Sequence, residues 1–278
     1  MNGKCTGATS PGCALSYKPN RLHRHQVSST AGTIFQGTRK PLQMWFRAMW
    51  RVTSQKNGAS AKGLQQSLGL GSYQTAWAWL HKLRRAMVRP GRDQLSGLVE
   101  VDETYVGGPE KRPGRGAQTE TLVVIAVEKR GRALGRTRMA VVREPRARRV
   151  VRVRGRLCGA WQHRAHRWLA KLPHAEEPGL HPRARPSAAK FGRPQRTLPG
   201  VHRLASLLKR WLLGTHQGAV SRAHLPYYLD EFTFRFNRRK SRARGKLFFR
   251  LVEQALAVHP APYKTLIKPN HNMQYPLE

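Results

Sequence analysis

The chain has 278 residues, of which 39% are apolar, enough for one large domain or two small ones with a modest core. It carries 52 Lys and Arg against 14 Asp and Glu, a formal charge of +38 with a pI near 11.7. No stretch approaches the roughly 18 apolar residues of a membrane span, the N-terminus has no apolar signal core, and Cys5, Cys13 and Cys158 make neither a C-x-x-C pair nor an even framework. A membrane span, a secretory signal and a disulfide scaffold are thereby set aside, and reduced thiols in a cytoplasm are the simplest reading. So large a positive charge repels itself unless a polyanion neutralises it. Nucleic acid is the leading partner, with a membrane surface or the ribosome as polyanions that net charge alone does not separate.

Residues 1–27 are polar and basic, without a period that buries a face, and read as a tail. The run WFRAMWRV at 45–52 predicts a helix. Two more follow, with Ala61, Leu64 and Leu68 in the first and Ala76, Trp79, Leu80, Leu83 and Met87 in the second, separated by GLGS at 69–72. Two short helices around a Gly-containing turn predict a helix-turn-helix whose second helix enters a groove, with Lys82, Arg84 and Arg85 as its DNA contacts. An ordinary helical hairpin gives the same spacing.

After Pro90 the pattern changes to strands. Residues 98–106 alternate, with Glu100, Asp102 and Thr104 on one face and Val99, Val101 and Tyr105 on the other. LVVIAV at 122–127 reads as a buried strand and 138–142 as a third. Order then stops: residues 143–200 hold 13 Arg, seven Pro, three Glu and no Asp. So long a connection is rare inside a compact domain. A helix resumes over 201–214, with Leu204, Leu207, Leu208, Trp211 and Leu212 as its stripe. LPYYLDEFTFRF at 225–236 is a strongly aromatic element, and Leu247, Phe248, Leu251, Val252 and Ala255 mark a last helix. The basic loop NRRKSRARGK between them offers Arg238, Arg239 and Lys240 as phosphate contacts.

An Asp amid an apolar strand needs a cation or a hydrogen-bond partner to offset its desolvation. In a nucleic-acid protein Mg²⁺ is the natural candidate, because it takes few carboxylates and keeps room for phosphate oxygens. Two such ions would activate a nucleophile and stabilise the leaving oxygen of a phosphodiester. Asp102 is the residue placed there, with Glu100 as a possible helper; a strand-end charge compensated by Arg is the alternative. His202 and Lys209 lie seven apart, two helical turns, so they share a face where an imidazole and an ammonium serve a metal, a proton or a phosphate. Alone, the same two residues also fit a helix start and a solvated charge.

Four segments together resemble bacterial insertion-sequence transposases of the IS1595 family, with the ISXO2-like catalytic domain. They are STAGTIFQGTRKPLQMWF at 29–46, VEVDETYVGG at 99–108, VHRLASLLKRWLLGTHQG at 201–218 and YYLDEFTFRFNRRKSRARGKLFFRLV at 227–252, within a resemblance over 30–142 and 198–263. The resemblance implies an α/β fold with an RNase H-like, DDE-type core behind a helix-turn-helix region, and metal-dependent cleavage and strand transfer of DNA. It implies Asp102 as first catalytic Asp, His202 at the variable third position and Lys209 after it, with Asp102 and His202 binding Mg²⁺ or Mn²⁺. Partners implied are terminal inverted repeats, target DNA and a second copy in a homo-oligomer, in a bacterial cytoplasm at the nucleoid.

The corresponding domains are a tail at 1–27, remnant of a zinc ribbon; a helical DNA-binding region at 28–95; the transposase domain at 96–263; and a tail at 264–278. Two departures stand out. Cys5, Cys13, His23 and His25 do not have zinc-ribbon spacing, which argues against a structural zinc. The second catalytic Asp has no counterpart, because no Asp occurs between Asp102 and Asp230. The expectation is a frameshifted or degenerate copy with a core incomplete over 143–200, its family function DNA transposition, with a non-catalytic DNA-binding remnant as the alternative.

Overall fold

A computed structural model describes residues 28–88, 92–107, 121–142, 198–218 and 220–268, with Val153, Leu157 and the short strand His163–Arg164. The expectations about 1–27, including Cys5, Cys13, His23 and His25, and about Cys158 fall outside the described residues.

The first described part is helical. Helix α1 (Leu42–Ser54) buries Trp45, Ala48, Met49 and Val52, the 3–4 spacing of one helix face. Helix α2 (Ala61–Leu68) starts where the Ser60 hydroxyl accepts the Gly63 N–H at 3.0 Å, and stops at Gly69, whose φ of 61° suits a residue without Cβ. Helix α3 (Tyr73–Ala86) lies deepest. It buries Ala76, Ala78, Trp79, Leu80, His81, Leu83, Arg84 and Ala86, and Trp79 stacks on Trp45 at 3.9 Å between centroids.

Four strands follow in the order β3-β2-β1-β4: β1 (Val99–Val106), β2 (Thr121–Arg130), β3 (Ala133–Val142) and β4 (His163–Arg164). The first three form an antiparallel meander and β4 lies parallel beside β1. The continuous apolar run of β2 is explained by its central place, because both of its faces are buried. One face packs Val123, Ile125 and Val127 against Leu204, Leu208 and Leu212 of helix α4 (Pro199–His216), and Leu229 and Phe232 of helix α5 (Leu225–Asn237). The other gathers Val99, Val101, Val124 and Ala126 with Leu157 and Val153. At the far edge Asn237 imitates a neighbouring strand: its Oδ1 accepts the Thr137 N–H at 2.7 Å and its Nδ2 donates to the Thr137 carbonyl at 3.0 Å. The ladder groups of β3 at that point are thereby satisfied.

Helix α6 (Arg244–Ala257) crosses back, adding Leu247, Leu251 and Ala255 to the core of α1–α3. Helix α7 (Tyr263–Ile267) seats Leu266 against Ala78 and Ala261. The expected tail at 264–278 thus begins inside a packed helix. The anomalous span 143–200 is likewise not wholly apart from the core: Leu157 is 6% exposed, its carbonyl accepts the Leu95 N–H, and His163–Arg164 extends the sheet. Among the described residues no helix is long and apolar enough to cross a membrane.

Candidate functional site

Asp102 stands mid-strand on β1, opposite Ile125, on the sheet face that α4 covers. The first turn of α4 is fastened to that strand. Pro199 opens the helix with a preset φ and no N–H to satisfy, and Gly200 follows. A Cβ on Gly200 would lie 2.4 Å from the Glu100 Oε2, so only glycine lets the carboxylate come this close. Glu100 Oε2 then accepts the Val201 N–H at 3.1 Å, while its Oε1 lies 3.5 Å from Lys129 Nζ. A buried carboxylate thus caps a helix N-terminus whose dipole favours it. Glu100, expected as a possible helper of Asp102, makes this cap.

The consequence falls on the next residue. His202 Nε2 lies 3.9 Å from Asp102 Oδ2, with the His side chain 43% and the Asp side chain 23% exposed. The structure brings Asp102 and His202 to one solvent-open spot from residues 100 apart. Lys209 is exposed two turns along α4, and Arg203 and Arg210 are exposed on the same helix.

The sequence profile of the ISXO2-like transposase domain matches residues 94–158 and 184–237, which bracket Asp102, His202 and Lys209. The chain belongs to this transposase family. No curated protein and no solved structure matches it. The family match breaks at 159–183, a narrower gap than the 143–200 expected from composition, in keeping with the packing of Val153 and Leu157.

Transposase domains of this type use a divalent metal, which polarises the phosphodiester and activates the attacking oxygen. In this transposase domain Asp102 and His202 offer one oxygen and one nitrogen donor. Among the described residues no three His, Cys, Asp or Glu side chains converge on a metal position, and no Asp lies between Asp102 and Asp230 to add one. The donor set fits one edge of a metal shell and does not complete a two-metal centre, so no cleavage step is derived through it.

The residues expected to contact DNA divide sharply. Arg84 is 1% exposed and corrects the expectation: its Nε donates to Glu231 Oε2 at 2.8 Å and its guanidinium stacks on Tyr228 at 3.9 Å. Lys82 and Arg85 are half-buried, Lys82 lying over the Trp45 ring at 5.8 Å. The second helix of the motif exposes Tyr73 and Gln74 in its first turn and turns its middle inward. The local spacing allowed a groove-facing helix or a packed hairpin; the middle of α3 is packed, and its first turn is exposed. On the basic loop, Arg238 is half-buried on the Phe234 ring, while Arg239 and Lys240 are exposed. Arg239 also donates to the Leu134, Gly135 and Phe236 carbonyls.

One cluster was not anticipated from the sequence. Glu231, fully buried on α5, joins Arg84 of α3 to Arg235, whose Nε lies 2.9 Å from Glu231 Oε1. Arg235 in turn donates to the Val52 and Gln55 carbonyls at the end of α1. Burial alone would raise the Glu231 pKa, but Arg84, Arg235 and His216 pull it down to about 2. His216 is lowered to about 4, by burial first and then by Arg84. An acidic residue in the middle of an aromatic helix is the sequence signal that could have found it.

Proposed function

We propose that this chain is a transposase descendant that binds DNA at its transposase domain and no longer cuts it. The observation that carries the reading is the bracket itself: Asp102 and His202 stand at 3.9 Å on a preserved strand-helix frame, while the stretch between them contains no Asp. A meander with a fourth strand parallel to β1 supports an RNase H-like core in which that missing carboxylate belongs.

DNA binding is supported by the cations around the half-site. Arg203, Lys209 and Arg210 are exposed on α4, and Arg239 lies close enough to Arg203 that, after burial, the Arg203 charge further lowers its pKa. Like charges held this near one another favour a phosphate backbone between them. Asp102 and His202 would hold a single divalent ion at most, and Lys209 would bind a phosphate.

The test uses duplexes carrying candidate terminal repeats. Binding should weaken steeply with salt, and nicking in Mg²⁺ or Mn²⁺ should be no greater than that of the Asp102→Ala protein. Nicking that Asp102→Ala abolishes would overturn the reading and make Glu144, Glu176 and Glu177 the substitutes to examine.

A further inference from the structure

The transposase half-site leaves unexplained an aromatic face on the helical part of the molecule. Phe46 and Trp50, one turn apart on α1, are 39% and 49% exposed. Both meet Phe248 of α6 edge-on, with centroids 6.4 and 6.0 Å away, and the next residue, Phe249, is 63% exposed. Their neighbours on α1 are cations: Arg47 and Arg51 follow Phe46 and Trp50 in register. Helix α1 carries no acidic residue and α6 carries one, Glu253.

This surface needs an occupant that offers both flat apolar faces and negative charge. A second copy of the chain brings its own +38, and the N-terminal 27 residues contain no Asp or Glu. A duplex presents phosphates but keeps its base faces stacked on one another. An unpaired DNA strand presents both, and aromatic rings interleaved with Arg and Lys are the general means of holding one.

We propose that the α1–α6 aromatic face binds single-stranded DNA, with Phe46 and Trp50 stacking on bases and Arg47 and Arg51 holding the backbone. This site is separate from the half-site of Asp102 and His202 and does not depend on cleavage. Its specificity is for unpaired strands over duplex, not for a base sequence, because every base has a ring face.

The experiment is fluorescence anisotropy of the full chain with labelled oligo(dT) of about twenty nucleotides and with a duplex of equal length, each across a salt series. Trp50→Ala and Phe46→Ala are expected to weaken oligo(dT) binding about tenfold each, with unchanged salt slope and unchanged duplex affinity. Trp50→Phe should retain most of the affinity. Arg47→Ala should reduce the salt slope by about one. Melting curves of each variant establish that these surface changes leave the fold intact.

Oligo(dT) affinity unaltered by Trp50→Ala overturns the proposal, as does a wild-type chain that binds duplex but not oligo(dT). Sedimentation showing that the wild type is a dimer, and Trp50→Ala a monomer with normal oligo(dT) binding, assigns the face to a second copy and overturns it too. Loss of duplex binding alone would sink the transposase-site reading and leave this one standing.

Discussion

Glu100 accepts the backbone N–H of Val201 at 3.1 Å, across 101 positions of sequence, and this contact sets where His202 sits relative to Asp102. The strand supplies the carboxylate, the helix supplies an unsatisfied N–H, and Gly200 supplies the space. Replacing Glu100 with Ala leaves that N–H without this acceptor and Lys129 without this charge partner, at an expected cost of about 1–3 kcal/mol in urea denaturation. Glu100→Gln keeps an acceptor and should cost less. Gly200→Ala should be comparably damaging by overpacking, since its methyl would meet Glu100 and also Leu134 at 2.9 Å. Hydrogen exchange of the Val201 amide checks the mechanism: it should accelerate in Glu100→Ala and in Gly200→Ala.

Glu231 ties α3, α5 and the end of α1 together. Removing its charge leaves Arg84 and Arg235 facing each other in the interior. Glu231→Gln should therefore destabilise by about 3–5 kcal/mol, the range for breaking a buried pair. Gly58 tests the same junction from the backbone side. Its φ is +85° and an added Cβ would come 2.8 Å from Glu231 Oε1, so Gly58→Ala should lower the melting temperature clearly. A Glu231→Gln chain as stable as wild type would show that this ion pair does not hold the helices together.

Stability should fall on acidification in two windows. His216 and His81 are both held neutral in the fold, by burial first and then by neighbouring positive charge. Below their ordinary value of 6.5 the unfolded chain takes up protons that the folded chain refuses. Their contribution is thus full above about pH 6.5 and is lost as the pH falls, that of His216 down to its folded value of about 4. Glu231 adds stability that is full above its ordinary value of 4.5 and lost as the pH falls toward about 2. Urea midpoints measured across this range should decline from near neutrality, and His216→Gln should flatten the upper window. A midpoint constant from pH 7 to pH 4 would contradict the assignment.

These results show which parts of the molecule its sequence expresses. Helices α1 and α4 and the strands β1 and β2 announced themselves because one face, or for β2 both faces, is apolar with the right period. Asp102 was legible because a carboxylate in such a strand needs a partner, and His202 because it opens a helix of clear stripe. The fate of α3 was not legible. Its Arg84 reads as a solvated charge until Glu231 arrives from 147 residues away, and its buried His81 has no local sign of burial. The cap that Glu100 makes was hidden for the converse reason: the backbone N–H it accepts belongs to a distant helix. The Arg and Pro composition of 143–200 also gave no sign that Val153 and Leu157 pack against β1 and β2.

The break in the family match makes a prediction about the gene. On both sides of 159–183 the chain still matches the transposase domain, and β4 at His163–Arg164 already lies parallel beside the strand of Asp102. The chain has no Asp in or near that strand. The expectation of an out-of-frame stretch there can be tested directly, because residues on both sides of it still match the family. If that expectation holds, translating the nucleotide sequence for 143–200 in all forward frames should recover, in a shifted frame, a stretch that carries the missing Asp. Restoring that frame should in turn produce Mg²⁺-dependent nicking that Asp102→Ala abolishes. If neither shifted frame encodes such an Asp, the basic stretch is the gene's own, and the loss of the carboxylate arose by substitution instead.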